Sequence, residues 1–224
     1  MPVDPTLRHP WNVAISEARA IQERLSGAVR DEDDLPPLRR VAGIDVGPAG
    51  DGRIRAAVVV LDAETLTPVE HTVAEQAPLM PYVPGYLSFR EVPPILDALA
   101  KLTTPPDVLL CDGQGRAHPR GFGVACHVGV LADIPAIGVA KKRLVGTHDP
   151  VPEAKGAWSP LVLDEAVIGA VLRSRAGVNP IYVSVGHRVS LETAVSIVMR
   201  CLTRYRLPET TRLAHGLASL NRAP

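Results

Sequence analysis

Residues 40–76 read "RVAGIDVGPAGDGRIRAAVVVLDAETLTPVEHTVAEQ", and their pattern decides the fold. Three apolar runs, RVAGIDVG, RIRAAVVVLDA and PVEHTVAEQ, are separated by the glycine, aspartate and proline of turns. They read as three strands of an antiparallel meander. The first two are nearly continuous in apolar residues, as expected of a buried sheet. Asp45 ends the first apolar run, with Gly47 two residues later. Buried without a partner it would carry a desolvation cost, so it needs a reason to be there.

Beyond the meander the pattern alternates. Residues 88–101 read as a helix, DVLLCDG as a short buried strand, VACHVGVLADI as a helix and AIGVA as a strand. Strand, helix, strand in this order predicts a parallel crossover. SPLVLDE, VIGAVLRS and PIYVSVG read as further strands. SLETAVSIVMRCLTRY and PETTRLAHGLASLNR read as two closing helices, with Ser190 and Pro208 as start signals. Upstream, Trp11, Ala14, Ile15, Ala18, Ile21, Leu25 and Val29 recur at helical spacing, which predicts one amphipathic helix over residues 11–29. RDEDDLPP after it is an acidic, proline-ended loop. The fold class is α/β, with a mixed central β-sheet flanked by helices.

The 224 residues are 46% hydrophobic, enough for one substantial core, so a single domain over residues 1–224 is expected, its core at about 40–222. Lys+Arg and Asp+Glu each total 24, so a nucleic-acid site would have to be a local patch. Cys111, Cys126 and Cys201 are odd in number and lack CxxC spacing, and read as reduced core thiols of an intracellular protein. The seven histidines show no HxH or HExxH spacing, which argues against a zinc enzyme. MPVDPTLRHP has no basic-then-apolar signal pattern and no run reaches membrane-spanning length, so a cytoplasmic protein with no membrane partner is expected.

A second aspartate, Asp112, ends DVLLCDGQG. Taken singly, each aspartate reads as an Asx turn. If the two strands are neighbours, both carboxylates reach one edge of the sheet, where Mg²⁺ would find the hard oxygen ligands it requires. Glu91 is a third acid, although Ser88-x-x-Glu91 also matches a capping box, and Pro93 and Pro94 fit only the first turn of a helix. The loop GQGRAHPRGFGVACH brings Gly113, His118 and Gly121 just after Asp112, with Arg116 and Arg120 as phosphate-shaped forks and the amides of a helix N-terminus behind them. It is neither a Walker loop nor a GxGxxG fingerprint. GVAKKRL presents Lys141, Lys142 and Arg143, in isolation a solvated basic turn. His215, like His127 and His187, reads by itself as a core histidine. In MPYVPGYLSFRE, residues 80–91, Pro81 and Pro84 brace Tyr82 in a segment too stiff for an interior strand, as suits a tip that must push against something.

In this order, VAGIDVG, PYVPGYLSFRE, CDGQGRAHPRGFGVACHVGV, IGVAKKRL, VSVGHRVSLETA and AHGLASLNR resemble the endonuclease V family over most of the chain from about residue 40. The resemblance implies a ribonuclease H-like fold. It implies Mg²⁺-dependent cleavage, with Mn²⁺ as a substitute, of the second phosphodiester bond 3′ to inosine in DNA repair, leaving 3′-hydroxyl and 5′-phosphate ends. It further implies Asp45, Asp112 and Glu91 as metal-binding acids, Lys141 as the active-site lysine and His215 as a helix-borne histidine near the metal. Pro81, Tyr82, Val83 and Pro84 match the family's wedge, usually PYIP, which would enter the base stack. Gly113, His118 and Gly121 are expected around the flipped base. Gln114 departs from the pattern, since many relatives carry histidine there. GFGVACH looks more like animal relatives than some bacterial ones. The expected partner is DNA containing deoxyinosine. The alternatives are an inosine-specific endoribonuclease, a nuclease of the same fold acting on other lesions or structures, and a non-catalytic binder. No protein partner is implied.

Overall fold

The computed structural model describes residues 5–220 and 222–224. Residues 1–4, the head of MPVDPTLRHP, and Asn221 of AHGLASLNR lie outside the described residues. Helix α1 (Ile15–Ser26) precedes the meander of β1 (Arg40–Gly50), β2 (Arg53–Asp62) and β3 (Pro68–Gln76), which pair antiparallel as expected. Then come α2 (Leu87–Leu99), β4 (Val108–Asp112), α3 (Val124–Ala132) and β5 (Ala136–Ala140), with β1, β4 and β5 in parallel register. Three more strands, β6 (Trp158–Leu163), β7 (Ala166–Leu172) and β8 (Ile181–His187), extend the sheet antiparallel beyond β5. Helices α4 (Leu191–Arg200) and α5 (Glu209–Leu220) close the chain. The sheet order is β3-β2-β1-β4-β5-β8-β7-β6.

Strand alternation sorts the core into two faces. Val41, Val59, Leu110, Ile137 and Val183 pack under α4 and α5. Ile44, Val58, Leu109, Cys111 and Ala136 face the other way, under α2 and α3. α1 adds an outer layer, with Ala18, Ile21 and Leu25 against Phe89, Phe122 and Val130. Cys111, Cys126 and Cys201 are free, buried thiols.

Several boundaries differ from the sequence reading. α1 is shorter than residues 11–29, because Trp11 packs outside the helix against His127, ring centroids 5.1 Å apart. α2 starts at Leu87 with Tyr86 as its cap residue, so Ser88 lies inside the helix and the capping box does not form. Pro93 and Pro94 stand in the helix interior rather than its first turn. Each removes an amide donor, yet the buried face of Phe89, Val92, Ile95 and Ala98 holds the helix. α4 ends at Arg200, and Ser190 caps its start as expected, its Oγ accepting from the Thr193 amide at 3.2 Å. β1 runs past Asp45 to Gly50. Only its pairing with β4 stops, at Ile44, while β2 continues alongside.

Two glycines set the height of α5 above the sheet. A Cβ on Gly43 would lie 2.0 Å from the Thr210 carbonyl oxygen, and one on Gly47 would lie 2.5 Å from Ser219 Oγ. Without those side chains the helix rests on the β1 backbone, with Asp45 between the two contacts. Gly43→Ala must lift α5 or bend β1. We expect a loss of about 3 kcal/mol or more, seen as a fall in Tm of several degrees. Gly216→Ala, where an added Cβ meets nothing within 4 Å, should be neutral or stabilising by up to about 1 kcal/mol. Thermal unfolding of both variants checks the contrast.

Candidate active site

The parallel register sets Ile44 against Cys111, so Asp45 and Asp112, the next residue on each strand, emerge side by side on the α5 face. Close packing of α5 brings His215 down to them. Ligand atoms of Asp45, Asp112 and His215 lie within 4.8 Å of one another. His215 Nδ1 is 2.7 Å from Asp45 Oδ2, and Asp45 Oδ1 accepts from the Val46 amide at 2.8 Å. That bond goes to the next residue, so it is not an Asx turn. Lys141, one residue beyond β5, donates to Asp112 Oδ2. Burial and the charge of Asp112 raise the Asp45 carboxyl above its usual range, against the pull of His215, the Val46 amide and Lys141.

Glu91 stands beside this trio, outside the 4.8 Å group. Burial pushes its carboxyl up to about 8, the charges of Asp45 and Asp112 add to the rise, and Arg90 opposes it. A groove of about 350 Å³ next to Glu91 is lined by Val46, Gly47, Arg53 and Arg90. Two strand-end carboxylate groups and an imidazole form a donor set suited to a divalent cation, and a nearby buried acid adds negative potential.

On the other side of Asp112 and Lys141 lies a cavity of about 430 Å³. Gly113, which follows Asp112, and Ala140, which precedes Lys141, are in its wall, with Tyr82, Pro84, Ser88, Gln114, His118, Val124 and Lys142. Tyr82 is 67% exposed at its mouth. Val83-Pro84-Gly85-Tyr86 has the residue order of a type II turn, with Gly85 at φ +79° and the Tyr86 amide bonded to the Val83 carbonyl at 3.0 Å.

The turn is anchored by its Gly85 carbonyl. Gln22 Nε2 of α1 donates to it at 3.1 Å, Arg120 donates to it as well, and His118 Nε2 lies 3.0 Å away. The His118 Nδ1 accepts from the Arg120 amide at 3.2 Å, so the ring proton sits on Nε2. Burial, then the charge of Arg120, pulls His118 down to about 4 and keeps it neutral. Arg120 also bonds Gln22 Oε1 at 2.6 Å and lies 4.3 Å over the Tyr86 ring.

The structure thus gathers Asp45, Asp112, Lys141 and His215 at one point, with Glu91 adjacent. Tyr82, Pro84, Gly113 and His118 share the neighbouring cavity, whereas Pro81 and Val83 are outside its lining. Gly121 is also outside it, next to Ser26 and Arg116. The two loop arginines are not free phosphate forks. Arg120 is spent on the turn, and Arg116 pairs with Asp31 at 3.1 Å and Ser26 Oγ at 3.0 Å. His127 and His187 are buried as expected, beside His9 and Asp133 respectively. Sequence reasoning missed Gln22, whose place beside Gly85 exists only after folding, and Arg90, hidden by its neighbour Glu91.

Comparison with known proteins gives the family. A family model for endonuclease V matches residues 23–216. An endonuclease V of Roseiflexus castenholzii is 58% identical over 98% of this chain and 99% of its own. The crystal structure of the Streptomyces avermitilis endonuclease V is 43% identical, superposes with a TM-score of 0.88 and covers 95% of each chain. A Ciona intestinalis endonuclease V, solved with a 24mer DNA containing an inosine followed by a ribo-adenosine, is 29% identical with a TM-score of 0.80, covering 91% of this chain and 95% of that one. Acids at one corner of a mixed sheet, a helix-borne histidine and relatives matched from end to end lead to one statement: the chain belongs to the endonuclease V family of metal-dependent nucleases, acts on phosphodiester bonds and carries the family's ribonuclease H-like fold.

Proposed function

We propose that the protein is a Mg²⁺-dependent endonuclease that cuts the second phosphodiester bond 3′ to inosine in DNA, as a single-domain repair enzyme of the cytoplasm. The observation that supports this most is the convergence of Asp45, Asp112 and His215 beside Lys141, directly against a cavity with an exposed tyrosine at its mouth. The inosine assignment follows from family membership and from the inosine-containing DNA in the Ciona relative.

Asp45 and Asp112 would hold the cation, with Glu91 joining directly or through water, and Mn²⁺ could take its place. What the cation supplies when bound is Lewis-acid polarisation of a phosphate oxygen and a lower pKa for a neighbouring water. Lys141 already lies against Asp112, and its ammonium offsets the negative charge that grows on the phosphate during displacement. In the neutral ring with Nδ1–H turned to Asp45, the lone pair of His215 is on Nε2, where it can orient water or accept a proton. Tyr82 would stack where the flipped base has left, and its anchored turn keeps that contact from being lost to ordering entropy. The flipped base would enter the cavity past Gly113. A second reading is cleavage of inosine-containing RNA, favoured by the ribo-adenosine after the inosine in the Ciona complex. Side-by-side cleavage of inosine-containing single-stranded DNA, duplex DNA and RNA, with and without Mg²⁺, decides between them. Cutting that ignores inosine in all three would overturn the proposal.

Asp45→Ala and Asp112→Ala should each abolish Mg²⁺-dependent cutting while largely keeping affinity for inosine strands. Near wild-type turnover at saturating Mg²⁺ in either variant would remove the cation assignment.

Glu91 yields a stability prediction. Its folded-state pKa of about 8 exceeds the ordinary 4.5, so the folded protein binds the proton more tightly than the unfolded chain. Metal-free stability therefore falls as pH rises from the ordinary value toward about 8. Glu91→Gln should flatten that fall and raise the metal-free Tm at pH 8 by a few degrees. Added Mg²⁺ should raise the wild-type Tm more than the variant's. Thermal scans in chelator across this range are the check, and parallel pH profiles for the two proteins would contradict it.

Tyr82→Ala should reduce the preference for inosine over adenosine strands roughly 5- to 150-fold, the worth of one base stack, with Mg²⁺ affinity intact. Tyr82→Phe should be mild, because the ring makes the contact. If the phenylalanine were as damaging as the alanine, the hydroxyl would be the working group.

A further inference from the structure

Lys141 follows directly on β5, whose last rung with β8 pairs Ala140 with Tyr182. The ladder stops there, and Pro180, just before β8, has no amide hydrogen with which to continue it. A side chain holds the Lys141 backbone instead. Arg206, in the loop between α4 and α5, donates from Nη2 to the Lys141 carbonyl at 2.8 Å and to the Pro180 carbonyl at 2.8 Å. Its Nε donates to the Asn179 carbonyl at 2.8 Å. One guanidinium therefore ties the chain leaving β5 to the chain entering β8. The next carbonyl, that of Lys142, accepts from Gln114 Nε2 of the loop after β4 at 3.0 Å. All three acceptors of Arg206 are neutral backbone carbonyls, so its bonds place chain rather than balance an acid.

We propose that Arg206 is a positioning residue for the cleavage step, acting through Lys141. This rests on the role proposed for Lys141 as the cation beside the reacting phosphate. The Lys141 ammonium reaches Asp112 on a flexible four-carbon stem, and the backbone sets the direction in which that stem starts. A carbonyl free to rotate would swing the Cα–Cβ bond and the ammonium with it. A displacement of about 1 Å at a reacting group can cost about 100-fold in rate. The planar fork of an arginine meets three carbonyls at once, which the point charge of a lysine does not reproduce. Arg206 also stands shortly before α5, the helix that carries His215. Its bonds thus join the strand end bearing Lys141 to the approach of the helix bearing His215, and so fix the two flanks of the acid pair to each other.

The test is a double-mutant cycle of Arg206→Met and Lys141→Met, read as single-turnover cleavage of an inosine-containing strand and as affinity for that strand. With Lys141 in place, Arg206→Met should slow single-turnover cleavage about 10- to 100-fold while affinity is largely kept. In the Lys141→Met background the same substitution should cost little more, because the group it positions is gone. An arginine that only held the fold together would cost the same factor in both backgrounds. That result overturns the inference, as does an unchanged rate in Arg206→Met or a loss confined to affinity. Arg206→Lys keeps the charge and the stem but not the fork, and it decides the matter on the same criteria if Arg206→Met does not fold. If Lys141→Met alone cuts at the wild-type rate, the reading of Lys141 falls. If Lys141→Met is slow and the Arg206 effect is the same with or without it, only this inference falls.

Discussion

Two carboxylates that leave adjacent parallel strands at the same height repel each other, and the arrangement around Asp45 and Asp112 answers that repulsion. Lys141 takes one side of Asp112, and His215 with the Val46 amide takes both oxygens of Asp45. Burial first, and then the charge of the neighbouring acids, still hold Asp45 above its usual range and push Glu91 to about 8. A site left short of positive charge is primed for a cation, the condition a hard-metal centre must meet before the metal arrives. The requirement reaches back to Gly43 and Gly47. Without their bare backbone α5 could not come close enough for His215 to meet Asp45.

The cavity on the other side of Asp112 is braced at its mouth. The turn there is over-determined by three donors on one carbonyl. On the proposed function, mobility there would cost binding, because a loop that must be ordered on contact gives up part of what stacking gains. The anchoring donors come from α1 and from the loop after β4, so the turn is fixed to elements on both sides.

The meander, the crossover and the two closing helices were legible because alternation and helical periodicity are local. The acids were legible too, since a carboxylate ending an apolar run is out of place there. What the sequence could not display were relations between distant segments. Gln22 and Gly85 are 63 residues apart, and nothing in either stretch announces their bond. Local rules also misdirected. Ser88-x-x-Glu91 has capping-box spacing, but the cap is Tyr86, two residues earlier, and the serine lies inside the helix. Pro93 and Pro94 should open a helix by propensity, yet burial of their neighbours keeps them in its interior. Arg116 and Arg120 looked like phosphate ligands because a sequence cannot show that Asp31 and Gln22 already occupy them.

Cation site and cavity are built from the same backbone. Asp112 runs into Gly113, Ala140 into Lys141, and the first turns of α2 carry Ser88 toward the cavity and Glu91 toward the acids. On the proposed function, a base seated in the cavity would fix where its own strand crosses Asp112 and Lys141. A cut displaced from the lesion by a constant number of nucleotides then needs no separate measuring device. On that reading the shared backbone would do the measuring, and a base that could not seat would leave its phosphate out of register with the acids.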